Sequence, residues 1–423
     1  VLRPDQILVP GATKYRLPNE LILPVVFPET LAEISTIVRL AVKRGWAMIV
    51  VGQGSKLHLG NVPCQADLML ATTRLPLLIE HEAADLTAKV SAGCQLRDCQ
   101  AQFALAGQFL PVVPMQADVA TIGGLIATNS QSQLRLVYGG IRDWLIGIKV
   151  INSQGELVKA GGQVVKNVAG YDLMKLYTGS LGTLGIIVEV NIKLRPKPVT
   201  ETTWLAGFAT FSQAWQAAQA CLASQITPLA LDVLNYSAVC QQLTTYDNMP
   251  YYLIGRYAGR SETIQAQLQN TQQLTKIEGQ VLDAPASAAT WSRLTTFGET
   301  ALVQLRVSLR PQYLPVLMDY LENNLPIPMA IWGQMGTGVV QISILADSAD
   351  NEIKFPITAN DIAQLRTYLR RFAGVLVVER APKLLRQQLD VWGDPQAKDL
   401  MQVIKQALDP NGIFSPGRFI AGI

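Results

Sequence analysis

Histidine is nearly absent from this 423-residue chain: only His58 and His81 occur. That count excludes a three-histidine metal site and disfavours a relay of several imidazoles. Charge is sparse too. Asp, Glu, Lys and Arg make up 16% of the residues, and Lys+Arg 35 against Asp+Glu 32 leaves a net +3. No basic block or patterned basic helix accompanies that excess, so nucleic acid is not an expected partner. The five cysteines, Cys64, Cys94, Cys99, Cys221 and Cys240, contain no CxxC pair. They are too few for a disulfide framework, and their spacing fits neither zinc nor an iron–sulfur cluster. They read as free thiols in a reducing compartment, and no metal is expected. Long apolar runs are missing as well. Met329–Leu345 is broken by Gly, Gln, Ser and Thr and reads as buried strands, not as a membrane span of about 20 apolar residues. Val1–Pro10 carries Arg3, Pro4 and Asp5, which is not a signal pattern. A soluble, cytoplasmic protein is the expectation.

Apolar residues reach 49%, enough for a well-packed core, and the length suggests two or three domains. Thr30–Arg44 sets Leu31, Ile34, Ile37, Val38 and Ala41 on one face behind a capping Thr30, which predicts a helix. Ala47–Val51, Leu86–Ser91, Thr121–Gly124, Ile146–Ile151, Glu156–Lys159 and Ile186–Leu194 read as strands, and Gln95–Ala106 as a helix stopped by Gly107. Arg195-Pro196-Lys197-Pro198 is expected to end pairing. Beyond residue 200, strands at 203–208, 229–234, 251–257, 301–309 and 375–379 alternate with helices at 211–224, 262–277, 312–323 and 361–372. A hairpin is expected at 330–345. Two rounds of strand–helix–strand predict a split βαβ sheet with helices on one side. No short sequence repeat is evident. The expected boundaries are 1–200, 201–385 and 386–423.

Three segments carry the chemistry. Gly52-Gln53-Gly54-Ser55-Lys56 follows an apolar strand, and its two glycines let consecutive amides point at one phosphate group. An ordinary glycine turn is the alternative. The loop is neither a Walker A motif nor a Rossmann fingerprint. Pro114 to Asn129 contains Thr121-Ile122-Gly123-Gly124, whose small residues permit close backbone approach to a ring or phosphate. Lys166-Asn167-Val168-Ala169-Gly170-Tyr171-Asp172-Leu173 precedes Gly179-Ser180-Leu181-Gly182-Thr183-Leu184-Gly185, a loop suited to closing over a bound group.

In this order, the GxGS loop, TIGG, GYDL and GSLGTLG resemble the flavin domain of the vanillyl-alcohol-oxidase/PCMH superfamily over about Leu17–Pro198. KNVAGYDL is most similar to the E-type subunit family of glycolate oxidase (glycolate dehydrogenase). The ending Asp409 to Phe419, with Pro416-Gly417-Arg418, is similar to endings in the superfamily's hydroxy-acid dehydrogenases. The resemblance implies an α+β protein with a PCMH-type two-subdomain FAD-binding fold and a ferredoxin-like (split βαβ) cap domain. The last segment would pack back on the flavin domain. It implies that Gly52, Gln53, Gly54, Ser55 and Lys56 hold the FAD pyrophosphate. Pro114, Asp118, Thr121, Gly123, Gly124 and Thr128 would line the flavin and ribityl side, with Ile187 at the adenine end; turn capping is the alternative for Asp118 and Thr121. Ser55 stands where relatives with covalent flavin carry the attachment histidine, so the FAD is expected to be non-covalent, with His58 bonded to backbone or water. Lys166 and Asp172 read as structural, and the Arg142–Asp143 region is either a fold-stabilising turn or, as the resemblance implies, a site near the cofactor.

The GDGNxH and GEHGxG motifs of the superfamily's D-2-hydroxy-acid dehydrogenases are absent, and no histidine follows His81. The usual imidazole base for a hydroxyl proton is therefore missing. In Leu305-Arg306-Val307-Ser308-Leu309-Arg310, alternation puts Arg306 and Ser308 on one face. Arg306 could clamp a carboxylate or meet an acidic residue of a partner or of the flavin domain. Arg380 is a second candidate. Trp332 and Trp392 read as core or interface. The resemblance implies an FAD-dependent oxidoreductase acting on a small 2-hydroxy acid, glycolate to glyoxylate. It would work with a D-type flavoprotein subunit and an iron–sulfur subunit, since no cluster motif is present here. The alternatives are a stand-alone oxidoreductase on another alcohol or hydroxy acid, and a structural flavin-fold subunit.

Overall fold

A computed structural model describes residues 2–8, 15–17, 21–163, 171–243, 247–345 and 356–423. The chain forms two compact units: residues 1–132, 139–197 and 394–423, and residues 133–138 with 198–393.

The first unit begins with a β–α–β crossover. Thr30 Oγ1 accepts from Glu33 N, the Glu33 side chain reaches back, and the helix Leu31–Arg44 runs until Gly45 at φ 66°. This is a capping box at one end and a left-handed stop at the other. Ile34, Ile37, Val38 and Ala41 bury against Met48, Leu68 and Leu70. Beneath them Val25–Val26 and Met48–Val51 pair parallel with Leu68–Ala71, and Ile7–Leu8 completes a four-stranded sheet. A second sheet is five-stranded and antiparallel, in the order Ile79–Glu82, Thr87–Ser91, Ile186–Lys193, Leu145–Ile151, Leu157–Gly161. The helix Leu96–Ala104 lies beside it and turns at Gly107, φ 66°.

Two expectations change here. Pairing does not stop at residue 194: Arg195–Pro196 pairs antiparallel with Gln108–Phe109. A two-residue ladder needs few amide donors, so proline is tolerated at its edge. TIGG is not a strand. Ile122–Ala127 is a short helix capped by Thr121, whose Oγ1 accepts from Gly124 N at 3.2 Å.

Residues 394–423 belong to this unit. The helix Lys398–Leu408 leads to Asp409, whose carboxylate accepts from Ile413 N and Phe414 N at 3.1 and 2.9 Å. Phe414 is fully buried with Met48, Leu70 and Val188.

The second unit is one eight-stranded antiparallel sheet. Its order is Gln280–Leu282, Thr200–Phe208, Tyr251–Gly259, Ala230–Asn235, Ala330–Gln334, Val339–Ile344, Val303–Ser308, Val375–Arg380. Each half is a ferredoxin-like unit with its strands in the order fourth, first, third, second, counted from the outer edge. The halves join through their second strands, Asp232 to Gln334, Val233 to Gly333 and Leu234 to Trp332. The sequence shows no short repeat, yet the fold repeats: pairing and burial constrain residue class, not identity. Helices Phe211–Leu222, Ser261–Thr275, Leu314–Asn324 and Ala359–Arg370 share one core with the sheet, including Trp204, Val233, Leu253, Leu305, Val307, Ile342 and Leu376. The other face mixes apolar residues such as Leu205, Leu234 and Ile254 with Thr203, Asp232, Arg256, Gln304, Arg306, Ser308, Trp332 and Gln341. Among the described residues no helix is long and apolar enough to cross a membrane.

Candidate functional site

The cleft of the first unit starts where the parallel strand Met48–Val51 ends, the usual place for a ligand in such sheets. It encloses about 830 Å³, including the solvent at its mouth. Gly52 through Lys56 form one wall. Gly54 turns there at φ 82°, and a Cβ on it would stand 2.9 Å from the Tyr15 ring. Tyr15 Oη donates to Gly52 O at 3.1 Å, and burial raises its phenol above the ordinary value. The N–H groups of Gly54 and Ser55 donate to no acceptor among the described residues. An amide cradle of this kind suits an anion.

Thr121, Gly123, Gly124 and Thr128 form the second wall. Gly123 lets the short helix lie on the strand edge, for a Cβ there would meet Ala92 Cβ at 2.8 Å. Thr128 Oγ1 donates to Gly124 O at 2.8 Å. Leu181, Gly182, Gly185 and Ile187 form the third, with Gly182 at φ 69°. Gly179 N bonds Ile126 O and Leu181 N bonds Ala127 O, at 2.9 and 2.8 Å, so the second and third walls are tied by backbone.

Pro114 and Asp118 do not border this cleft. Pro114 is buried in a bridge to Ser132, and Asp118 is exposed on the turn that precedes Thr121. Residues 164–170, including Lys166, lie outside the described residues. Asp172 pairs with Lys175 at 2.6 Å on the surface. Asp143 caps Gly140 N at 2.8 Å. His58 is half-buried and does not border the cleft, while His81 Nε2 meets Gln108 Oε1 at 2.9 Å and packs edge-on to Phe103. Arg418 does border it. Sequence spacing gave no sign of this, since Arg418 lies more than 350 residues from the loop whose carbonyls it holds.

In the second unit, Arg306 Nε donates to Glu379 Oε1 at 2.8 Å and Nη1 to Ser308 Oγ at 3.3 Å, while Leu305, Val307 and Leu309 face the core. The acidic partner of Arg306 is thus on the adjacent strand of its own sheet. Arg380 Nη1 donates to the Glu299 carbonyl, and burial lowers its pKa; that contact gives it no carboxylate. Trp332 is buried on the sheet face that carries Asp232, and its Nε1 donates to the buried Asp232 carboxylate at 2.8 Å. Trp392 packs against the core on the opposite, helix-covered face. Among the described residues no group of His, Cys, Asp and Glu could hold a metal ion.

The family model described as FAD binding domain matches residues 22–161, and that described as FAD linked oxidases, C-terminal domain, matches 197–311 and 385–419. The chain belongs to the FAD-linked oxidases. As such it is an FAD-dependent oxidoreductase, and the cleft has the glycine-walled, amide-lined character that a dinucleotide requires. The chain is 29% identical to D-2-hydroxyglutarate dehydrogenase of Xanthomonas citri pv. viticola, covering 94% of this chain and 89% of that protein. It is 25% identical to glycolate oxidase subunit GlcD of Bacillus subtilis, over 94% and 88%. Similarity to glycolate oxidase subunit GlcE of Escherichia coli is 33%, but over only 36% of this chain and 43% of that one. The expected E-type kinship is therefore partial, and D-type relatives match along nearly the whole chain. The fold is that of p-cresol methylhydroxylase with substrate bound, at TM-score 0.74 and 15% identity, covering 98% of this chain and 93% of that one.

Proposed function

We propose that this FAD-linked oxidase oxidises a 2-hydroxy acid to the 2-oxo acid, with glycolate to glyoxylate as the narrower reading. Its pyrophosphate would lie on Gly52–Lys56 and its flavin between Thr121–Thr128 and Leu181–Ile187. The observation that carries the substrate class is full-length similarity to enzymes named for 2-hydroxyglutarate and glycolate. Bound FAD supplies a non-covalent two-electron acceptor; Ser55 offers no nucleophile of the kind a covalent flavin link needs. The Gly54 and Ser55 amides then hold phosphate oxygens without reorganising. Arg306 is the candidate carboxylate anchor. Glu379 and Ser308 fix two of its nitrogens, and a guanidinium has five donors in a rigid fork, so a second carboxylate can share it.

Work within a complex is part of this reading: a D-type flavoprotein subunit would complete the chemistry, and an iron–sulfur subunit would take the electrons. Its support is the lack of any histidine beyond His81, which removes the usual base. A stand-alone enzyme on another hydroxy acid is the second reading, favoured by the full-length D-type similarity. Anaerobic addition of glycolate, D-lactate and D-2-hydroxyglutarate to the purified chain, followed by flavin absorbance, tests both. Flavin that stays oxidised until the partner subunits are added supports the complex. Bleaching by the chain alone supports the stand-alone enzyme. Bound flavin that none of the acids reduces, with or without partners, overturns the substrate class.

A further inference from the structure

We infer that the segment Lys405–Arg418 is a working part of the FAD site, with Arg418 the positioning residue that shapes the Gly52–Lys56 cradle and charges it for the pyrophosphate. This rests on the reading that FAD places its pyrophosphate on that cradle.

Arg418 is 4% exposed and borders the same cleft as Gly52 to Leu57. Its Nη2 donates to Leu57 O at 2.9 Å and to Leu59 O at 2.5 Å. Both carbonyls belong to the turn that immediately follows the cradle. Holding them with a guanidinium sets the direction of that turn, and adds a buried positive charge to a wall that already carries Lys56. A guanidinium beside a dianionic occupant attracts it, and salt entering the open mouth of the cleft weakens that attraction. The same segment fastens the far side of the turn: Asn61 N donates to Arg418 O at 2.9 Å and Cys64 N to Pro416 O at 3.0 Å. Gly60, at φ 94°, is required there because a Cβ would stand 2.7 Å from Arg418 O.

The other end of the segment reaches two further parts of the site. Met48 N donates to Ile413 O at 2.8 Å and Ser415 N to Met48 O at 2.9 Å, at the start of the strand that delivers the cradle. Lys405 Nζ donates to Asp409 Oδ2 at 2.6 Å, Thr183 O at 2.8 Å and Phe414 O at 2.9 Å. Thr183 sits between Gly182 and Gly185 in the third wall. Lys405 thus ties the segment to one wall while Arg418 ties it to another. Asp409 has no exposed side chain and keeps Lys405 paired. One segment therefore sets the spacing of two walls contributed by distant parts of the sequence.

The test measures FAD binding to the full chain, by fluorescence quenching and by flavin content after gel filtration, at several salt concentrations. Arg418→Met is expected to weaken FAD at least about tenfold, as loss of a charge-assisted contact should, and to flatten the salt dependence. Arg418→Lys should recover part of the affinity and the wild-type salt slope. Lys405→Met should weaken FAD with the salt slope unchanged, as a spacing role requires. Equal FAD affinity in wild type and Arg418→Met overturns the inference. Equal loss in Arg418→Met and Arg418→Lys, with no change in salt slope, overturns the electrostatic role. Should Arg418→Met fail to fold by circular dichroism, Arg418→Lys alone decides: affinity within about tenfold of wild type at the wild-type salt slope supports the charge, and complete loss of bound FAD rejects it. A wild-type chain that binds no added FAD would instead refute the underlying site reading.

Discussion

Gly52 and Thr121 meet where two walls of the cleft converge: a Cβ on Gly52 would stand 2.1 Å from Thr121 Oγ1 and 3.0 Å from its Cγ2. Thr121 cannot yield, because that same oxygen caps Gly124 N. Gly52→Ala must therefore push the cradle away or break the cap, at a cost of about 1–3 kcal/mol. The expected outcome is loss of most bound FAD and a lower melting temperature. Flavin content equal to wild type would show that the two walls do not need to touch.

Asp232 should make stability depend on pH. Burial raises its carboxyl from 3.8 to about 7, against the opposing Trp332 hydrogen bond and the charge of Arg256. Between about pH 4 and pH 7 the folded state keeps a proton that the unfolded chain releases, so this group's contribution falls as pH rises through that window. Asp232→Asn keeps an acceptor for Trp332 Nε1 and removes the charge. Its melting temperature should gain on wild type progressively from pH 5 to pH 8, by the equivalent of about 1–4 kcal/mol at the upper end. An identical difference at both pH values would place the carboxyl's pKa at its ordinary value.

Arg306 and Glu379, each about one-fifth exposed in its side chain, should behave as a coupled pair. Arg306→Met strands a half-buried carboxylate, and Arg306→Met with Glu379→Gln does not. The single variant should lose about 1–3 kcal/mol and the double variant less. Denaturant melts of both give the coupling. If Arg306 also anchors substrate, Arg306→Lys raises KM for the hydroxy acid while flavin content stays constant.

Thiol titration gives a simple check on packing. Cys64 and Cys240 are exposed, whereas Cys94, Cys99 and Cys221 are buried. Hydrogen bonding to Cys94 and burial push the Cys99 thiol upward, and burial pushes Cys221 up to about 11. Two thiols should react promptly in the native protein and three only on unfolding. Prompt reaction of four or five would contradict the packing around Cys94 and Cys221.

Local patterns were legible, and long-range placements were not. Thr30 and Glu33 announce their helix because a cap is a contact over three residues. Alternation separated Arg306 and Ser308 from Leu305, Val307 and Leu309 because strand geometry alone decides it. TIGG reads as strand-like in the sequence, since paired glycines disfavour helix; the cap on Thr121 and the backing of Ala92 outweigh that preference. Pro114 and Asp118 fell outside the cleft because family motifs mark a segment, whereas the turn 116–120 decides which of its residues point inward. Arg418 escaped notice as a wall residue because its partners, Leu57 and Leu59, are close only after folding.

The joint between Ala230–Asn235 and Ala330–Gln334 brings the same strand of each half-sheet together, antiparallel, as the interface of a symmetric dimer would. Because both halves lie in one chain, dilution cannot separate them; the connecting residues hold each at a high local concentration of the other. Two open strand edges that would invite pairing between molecules are consumed internally. A substitution at Leu234 or Gly333 therefore acts as an interface mutation in a protein that never dissociates.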